Sequence, residues 1–396
     1  MTVRLCQPFC ALLVLLLCSC APQANLPHLD MDSVGAEAKF QQTLVLRDSV
    51  DKLDRLNRVG WDIRSRNAEL CGERVVHGVG LRFLELDDYK KEQRELVQEV
   101  LGVSWRPTVF QIPPGSPGAL AGMRRGDIVL LVSNVQVANK KEAHAAIDAA
   151  IEKGEEIPIV VERGGERLTF VIKAVPLCGY PVLLNKDPVV NAYADGDRIF
   201  VNLGLLKFIQ SDDELAGVIG HELAHNTQKH VRDKVTNATL GRLLVDLPVI
   251  VLTGVDPNVG WQIGRSLYSQ GYEFEADYVG QYYTARAGYD IRIVPNLWRR
   301  MALDDPKGIT LGTTHPCTSE RFVALDAAAA EIENKRKNGL ALKPEIKSSP
   351  SWLAKKDDKK DEKKEAPKDL APNGPSSAPA SGPAPFSGRI SADVEE

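Results

Sequence analysis

The chain has no apolar run long enough to cross a bilayer. Its two apolar stretches, residues 11–17 and 243–253, fall short of the roughly 20 residues that a spanning helix needs, and Asp246 and Pro248 interrupt the second. Basic residues are not in excess either: 49 Lys and Arg stand against 53 Asp and Glu, a formal net charge of -4. That balance lacks the footprint of a nucleic-acid binder, and no clear pattern for nucleotide binding is present. Cysteine and histidine are scarce, seven of each in 396 residues, so chance rarely places two of them at a functional spacing. The 43% hydrophobic content is enough for two folded modules.

Two of the histidines do fall in a pattern, in His221-Glu222-Leu223-Ala224-His225. Residues four apart on a helix stand one turn above each other, so His221 and His225 can aim two imidazoles at one metal ion. Glu222 projects from the same side, where a carboxylate can take the proton of a water as it attacks a carbonyl carbon. The spacing points to zinc-dependent hydrolysis of peptide bonds. A helix is expected here, because Ser211 followed by Glu214 reads as a capping box and Asp212 and Asp213 oppose the positive end of the helix dipole. Leu215, Ile219 and Leu223 then form a stripe for burial.

The third ligand must come from elsewhere. The metzincin extension requires Gly at position 228 and His at 231, where this chain has Gln228 and Val231, so that class is rejected. His230 is one residue short and reads as a helix-end histidine. Downstream, Glu273 and Asp277 lie one helical turn apart in Tyr272-Glu273-Phe274-Glu275-Ala276-Asp277-Tyr278. One of them can ligate zinc while the other orients a ligand histidine through its second ring nitrogen. Glu275, about 200° around the helix from Glu273, reads as a solvated charge.

With these motifs the chain resembles the HtpX and CaaX prenyl protease-like family of zinc metalloendopeptidases, in its soluble periplasmic lipoprotein branch. The resemblance covers most of residues 179–325. It implies that Glu273 joins His221 and His225 around one Zn2+ per chain, with Glu222 as general base and Asp277 behind the ligands. Asn191-Ala192-Tyr193-Ala194, followed by residues 198–204, resembles the family's edge strand above the cleft, where a substrate strand can add by backbone pairing. Thr314-His315-Pro316, with Arg321 six residues after the histidine, resembles the family's His-Pro loop. By that likeness His315 either approaches the zinc as a gate or steadies the oxyanion, and Arg321 ties the loop down.

The amino terminus sets the compartment. Arg4, the apolar residues 11–17 and Leu17-Cys18-Ser19-Cys20 have the form of a bacterial lipoprotein signal, with Cys20 as the lipidated residue. Ala21 is not the Asp that suggests inner-membrane retention, so the expected location is the periplasmic face of the outer membrane. Lipid on Cys20 would anchor the protein to a leaflet.

Residues 76–176 resemble a PDZ domain of the bacterial protease type, most clearly from Pro114 through Gly126 and Asp127 to Asn134. Strands are expected at 157–162 and 168–173, joined by Arg163-Gly-Gly-Glu. Gly78-Val79-Gly80-Leu81-Arg82-Phe83 would receive a peptide carboxylate. Cys71 and Cys178 stand at the two edges of this module in an oxidising compartment and are candidates for a disulfide at its neck. Cys317 reads as a buried thiol.

The expected fold class is α+β: a mainly helical, gluzincin-like zincin domain with a small edge sheet, interrupted by a β-rich PDZ domain. The expected segments are a signal peptide 1–19, a linker 20–39, the peptidase's first helix in 40–75, the PDZ domain 76–176, the metallopeptidase 177–340 and a disordered tail 341–396. The function read from this is a lipid-anchored zinc metalloendopeptidase acting on unfolded or misassembled envelope proteins. The rival reading is a periplasmic PDZ adaptor or chaperone with a gated or inactive zinc site.

Overall fold

The computed structural model describes residues 27–230, 269–304, 315 and 319–345. The expected signal peptide at residues 1–19, Cys20, residues 243–253, Cys317 and the chain beyond 345 lie outside the described residues. Among the described residues no helix is long and apolar enough to cross a membrane.

Helix α1 runs from Met31 to Arg66. It starts within the expected linker rather than at residue 40, because the Asp30 carboxylate accepts from the backbone of Asp32 and Ser33 and so caps the free N–H groups. The exposed residues Met31, Val34 and Phe40 give its first turns no buried stripe that periodicity would reveal. Its second half packs inward through Val50, Leu56, Val59 and Ile63. At its end Asn67 donates to the carbonyls of Ile63 and Tyr283, tying the helix to a segment more than 200 positions along the chain.

The inserted module is framed by β1 (Val75–Gly78) and β8 (Val175–Cys178), paired antiparallel. Below them Cys71 and Cys178 are joined in a disulfide with their Cα atoms 5.5 Å apart. The closed loop spans 107 residues, a length at which chain-entropy stabilisation is about 4–5 kcal/mol. Inside it lie β2 (Arg82–Leu84), α2 (Lys91–Leu101), β3 (Thr108–Gln111), α3 (Pro117–Leu120), β4 (Ile128–Val132), β5 (Val135–Gln136), α4 (Lys140–Glu152), β6 (Ile157–Arg163) and β7 (Glu166–Ile172). The sheet order is β2-β3-β4-β6-β7, with β5 beside β4. Alternating residues Ile157, Ile159 and Val161 face a core shared with Phe83, Val109, Val129 and Ile147. The β6–β7 hairpin closes through Gly164 and Gly165, both at positive φ, as a two-residue turn demands. Arg125 grips both oxygens of Asp54 at 2.6 Å, linking the module to α1.

The remaining elements are β9 (Val182–Asn185), β10 (Ala192–Ala194), β11 (Ile199–Asn202), α5 (Leu203–Phe208), α6 (Asp212–Thr227), α7 (Ser269–Arg286), α8 (Val294–Asp304) and α9 (Ser319–Lys337). Strands β9 and β11 are parallel, and β10 lies antiparallel at the sheet edge. The molecule is therefore an α+β protein. Residues 341–345, expected within the tail, instead lie against the helices: Arg286 donates to the Leu342 carbonyl and the Glu345 N–H to the Tyr278 hydroxyl. Lone backbone groups found partners there that composition does not reveal.

Candidate metal centre

Helix α6 forms for the local reasons its sequence suggests. The Ser211 hydroxyl accepts from the Glu214 N–H at 3.2 Å. The Glu214 carboxylate reaches back one residue further, to the Gln210 N–H at 2.8 Å, and takes Arg300 in a two-point pair at 2.8 Å. Leu215, Ile219 and Leu223 are fully buried. Asn226 joins the helix to the strand hairpin, accepting from the Gly196 N–H and donating to the Arg198 carbonyl. The edge strand β10 is thereby fixed relative to the two histidines.

Helix α7 lies so close to α6 that side chains are excluded at the contact. A Cβ on Gly280 would stand 2.8 Å from the His221 backbone, and one on Gly220 would stand 2.7 Å from the Gly280 carbonyl. This approach is what lets α7 deliver Glu273 and Asp277 to His221. Gly280→Ala forces the helices apart and costs about 1–3 kcal/mol of stability; zinc affinity falls with it, as thermal unfolding and zinc titration of the purified variant will read.

Four side chains converge. His221 Nε2 is 3.1 Å from His225 Nε2 and 3.3 Å from Glu273 Oε2, and His225 Nε2 is 3.4 Å from Glu273 Oε1. His315 Nδ1 stands 2.9 Å from Glu273 Oε2 and 3.3 Å from His221 Nε2. Four donors on a tetrahedron with roughly 2.0–2.1 Å bonds to zinc are about 3.3 Å apart, so the spacing of this buried group fits that ion. Glu222 is buried beside it; its Oε1 is 3.5 Å from His315 Nε2 and its Oε2 has no hydrogen-bond partner among the described residues.

Behind the donors, His221 Nδ1 lies 3.0 Å from Asp277 Oδ1, and Arg321 holds both Asp277 oxygens at 2.6 and 2.7 Å. Arg321 therefore grips the α7 carboxylate, and it also reaches to 3.4 Å from Glu273. The expected tie to the His315 loop involves positions 314 and 316–318, outside the described residues. Burial opposes a charge on His221, yet its pairing with Asp277 and Glu273 prevails and its pKa is pushed up to about 9. Burial holds His225 well below its ordinary value despite its pairing with Glu273. For Glu273 burial is outweighed by His315, His221 and His225, and for Asp277 by Arg321; both carboxyls are held below the usual range.

Two residues missed by sequence reasoning also face the site. His230, expected as a bland helix-end histidine, is buried with Nδ1 3.0 Å from His225 Nδ1. Glu275, expected as a solvated charge, does keep a partly exposed side chain and also stands 3.2 Å from His230 Nε2.

Residues 161–329 match the model of Peptidase family M48, starting within β6 and so overlapping the inserted module. The chain is 35% identical over 154 residues to Mitochondrial metalloendopeptidase OMA1 of Arabidopsis thaliana, covering 38% of this chain and 31% of that protein. It is 28% identical over 177 residues to Beta-barrel assembly-enhancing protease of Yersinia pestis, covering 40% and 36%. These matches thus span about a third of the relatives' own length. A solved HtrA3 PDZ domain bound to a phage-derived ligand aligns with 26% of this chain and 91% of its own at 21% identity, with a TM-score of 0.21, too low to bear on the fold. Over residues 161–329 the chain is thus similar to Peptidase family M48, and the relatives it resembles are named a metalloendopeptidase and a protease.

Proposed function

We propose that the chain is a zinc-dependent metalloendopeptidase in which His221, His225 and Glu273 hold the ion and Glu222 is the general base. The observation that carries this reading is the 3.1–3.4 Å spacing of the three donors, with an uncommitted carboxylate oxygen of Glu222 beside them. Zinc at that position would polarise a carbonyl and acidify a water. Glu222 takes the proton of the attacking water and returns it to the leaving nitrogen. Asp277, charge-balanced by Arg321, fixes the His221 ring. Strand β10, outermost in its sheet, offers its backbone to an extended substrate, a mode that favours unfolded chains.

The relative named for enhancing β-barrel assembly supports the envelope as the setting, with misassembled envelope proteins as substrates. In this reading Cys20 carries the lipid anchor, the outer membrane is the location, and the PDZ-like insertion captures substrate tails along its edge strand β2. Zinc content together with cleavage of an unfolded protein tests the whole proposal. One zinc per chain, lost in Glu273→Ala, supports it; a chain that takes up no zinc sinks it.

The place of His315 favours a gate over an oxyanion donor. It stands among the donors, where a fourth ligand would exclude water. His315→Ala then raises the rate of cleavage several-fold. An oxyanion role predicts the opposite, a fall of about 10²–10³ in kcat. The adaptor reading draws on the same observation, since a permanently closed site would leave the insertion to act alone.

A further inference from the structure

Resting on the metal-centre reading above, we infer that His230 and Glu275 form a hydrogen-bonded relay that positions the ligand His225, as Asp277 positions His221. The two ligand histidines are supported by different means. His221 meets a carboxylate directly, and that carboxylate is locked by Arg321. His225 presents its outer nitrogen, Nδ1, to a second imidazole, His230 Nδ1, at 3.0 Å. His230 passes on through Nε2 to Glu275 Oε2 at 3.2 Å.

Donor and acceptor chemistry gives this chain one direction. When Nε2 of His225 faces a metal ion its proton resides on Nδ1, and that N–H needs an acceptor. His230 Nδ1 serves only if His230 carries its own proton on Nε2, and there the Glu275 carboxylate accepts it. The sequence runs from His225 Nδ1–H to His230 Nδ1, and from His230 Nε2–H to Glu275. Each element is held for the purpose. Lys229 adopts φ 60, a left-handed conformation that side-chain-bearing residues rarely take, and this turn follows directly on the end of α6 and precedes His230. The Tyr272 ring stacks on His230 at 4.5 Å and 22°, fixing its plane. Helix α7 thus supplies Glu273 to the donors and Tyr272 and Glu275 to the relay from a single turn.

The two supports also differ in exposure: the Asp277 side chain is 2% exposed, that of Glu275 38%. Glu275 is screened by solvent, so its removal has the smaller effect, whereas His230 is the necessary member. Both are positioning residues and neither touches substrate.

The test is zinc affinity of the metal-free full chain by competition with a chromophoric chelator, alongside the visible spectrum of the cobalt-substituted protein and the thermal midpoint without metal. His230→Ala is expected to weaken zinc about 10–100-fold and to shift the cobalt bands. His230→Gln, whose amide oxygen can accept from His225, recovers most of that loss. Glu275→Gln weakens zinc less, and adds nothing in the His230→Ala background because the link is already cut. Affinity of His230→Ala within twofold of the parent overturns the relay, as does a Gln variant no better than Ala, or an additive Glu275→Gln. Should His230→Ala fail to fold, the Gln and Glu275 variants decide the matter alone. A parent chain that binds no zinc overturns the metal centre itself, a result distinct from any of these.

Discussion

Glu222→Gln lowers the rate of cleavage of an unfolded protein by about 10²–10⁴-fold while the zinc content and thermal midpoint stay where they were. Glutamine keeps the shape of the side chain and cannot take a proton, so only the chemical step is lost. The position is suited to so clean a result. Glu222 is buried beside the donors, stands 3.5 Å from His315, and has an oxygen with no hydrogen-bond partner among the described residues. Among the described residues no ion pair with Lys or Arg is broken when its charge is removed. Steady-state kinetics on purified protein check the outcome: an unchanged kcat would remove Glu222 from the mechanism. In cells, full complementation of an envelope-stress phenotype by this variant would move the function to the inserted module.

Asp277→Ala has the largest expected effect on the folded state. Asp277 and Arg321 are each 3% exposed, and they are bound by two short hydrogen bonds. Removing the carboxylate takes from a buried guanidinium the partner that holds it by two short hydrogen bonds, with Glu273 at 3.4 Å unable to replace both, which costs about 3–5 kcal/mol. It also frees the His221 ring, weakening zinc about 10–100-fold. Stability and metal binding can be separated with Asp277→Leu combined with Arg321→Met, which removes both charges together. Chemical unfolding of this pair should give back most of the lost stability, while zinc titration should not recover. Recovery of both would show that Asp277 serves the fold alone.

Local and tertiary information divide sharply in this molecule. The cap at Ser211, the stripe of Leu215, Ile219 and Leu223, and the common face of His221 and His225 follow from a helix of 3.6 residues per turn. The β6–β7 hairpin is local in another way, closed where two consecutive glycines allow positive φ. Such features depend on residues a few positions apart, and their spacing alone places them. The start of α1 was less legible, since Asp30 caps a stretch whose apolar residues remain exposed.

Everything that joins α6 to α7 belonged to the tertiary structure. Residue spacing brought Glu273 and Asp277 onto one face of a helix, but their nearness to His221 depends on Gly220 and Gly280 letting two backbones meet. The partner of Asp277 proved to be Arg321 from α9, 44 positions along the chain. His230 and Glu275 looked ordinary one by one; only the left-handed turn at Lys229 and the packing of α7 bring them into line behind His225. Periodicity fixes directions within one helix, whereas the distance and rotation between two helices are set by which side chains their contact can accommodate. The sequence by itself thus determined the paired histidines, their helix and the glutamate between them, and the packed structure decided what stands behind them.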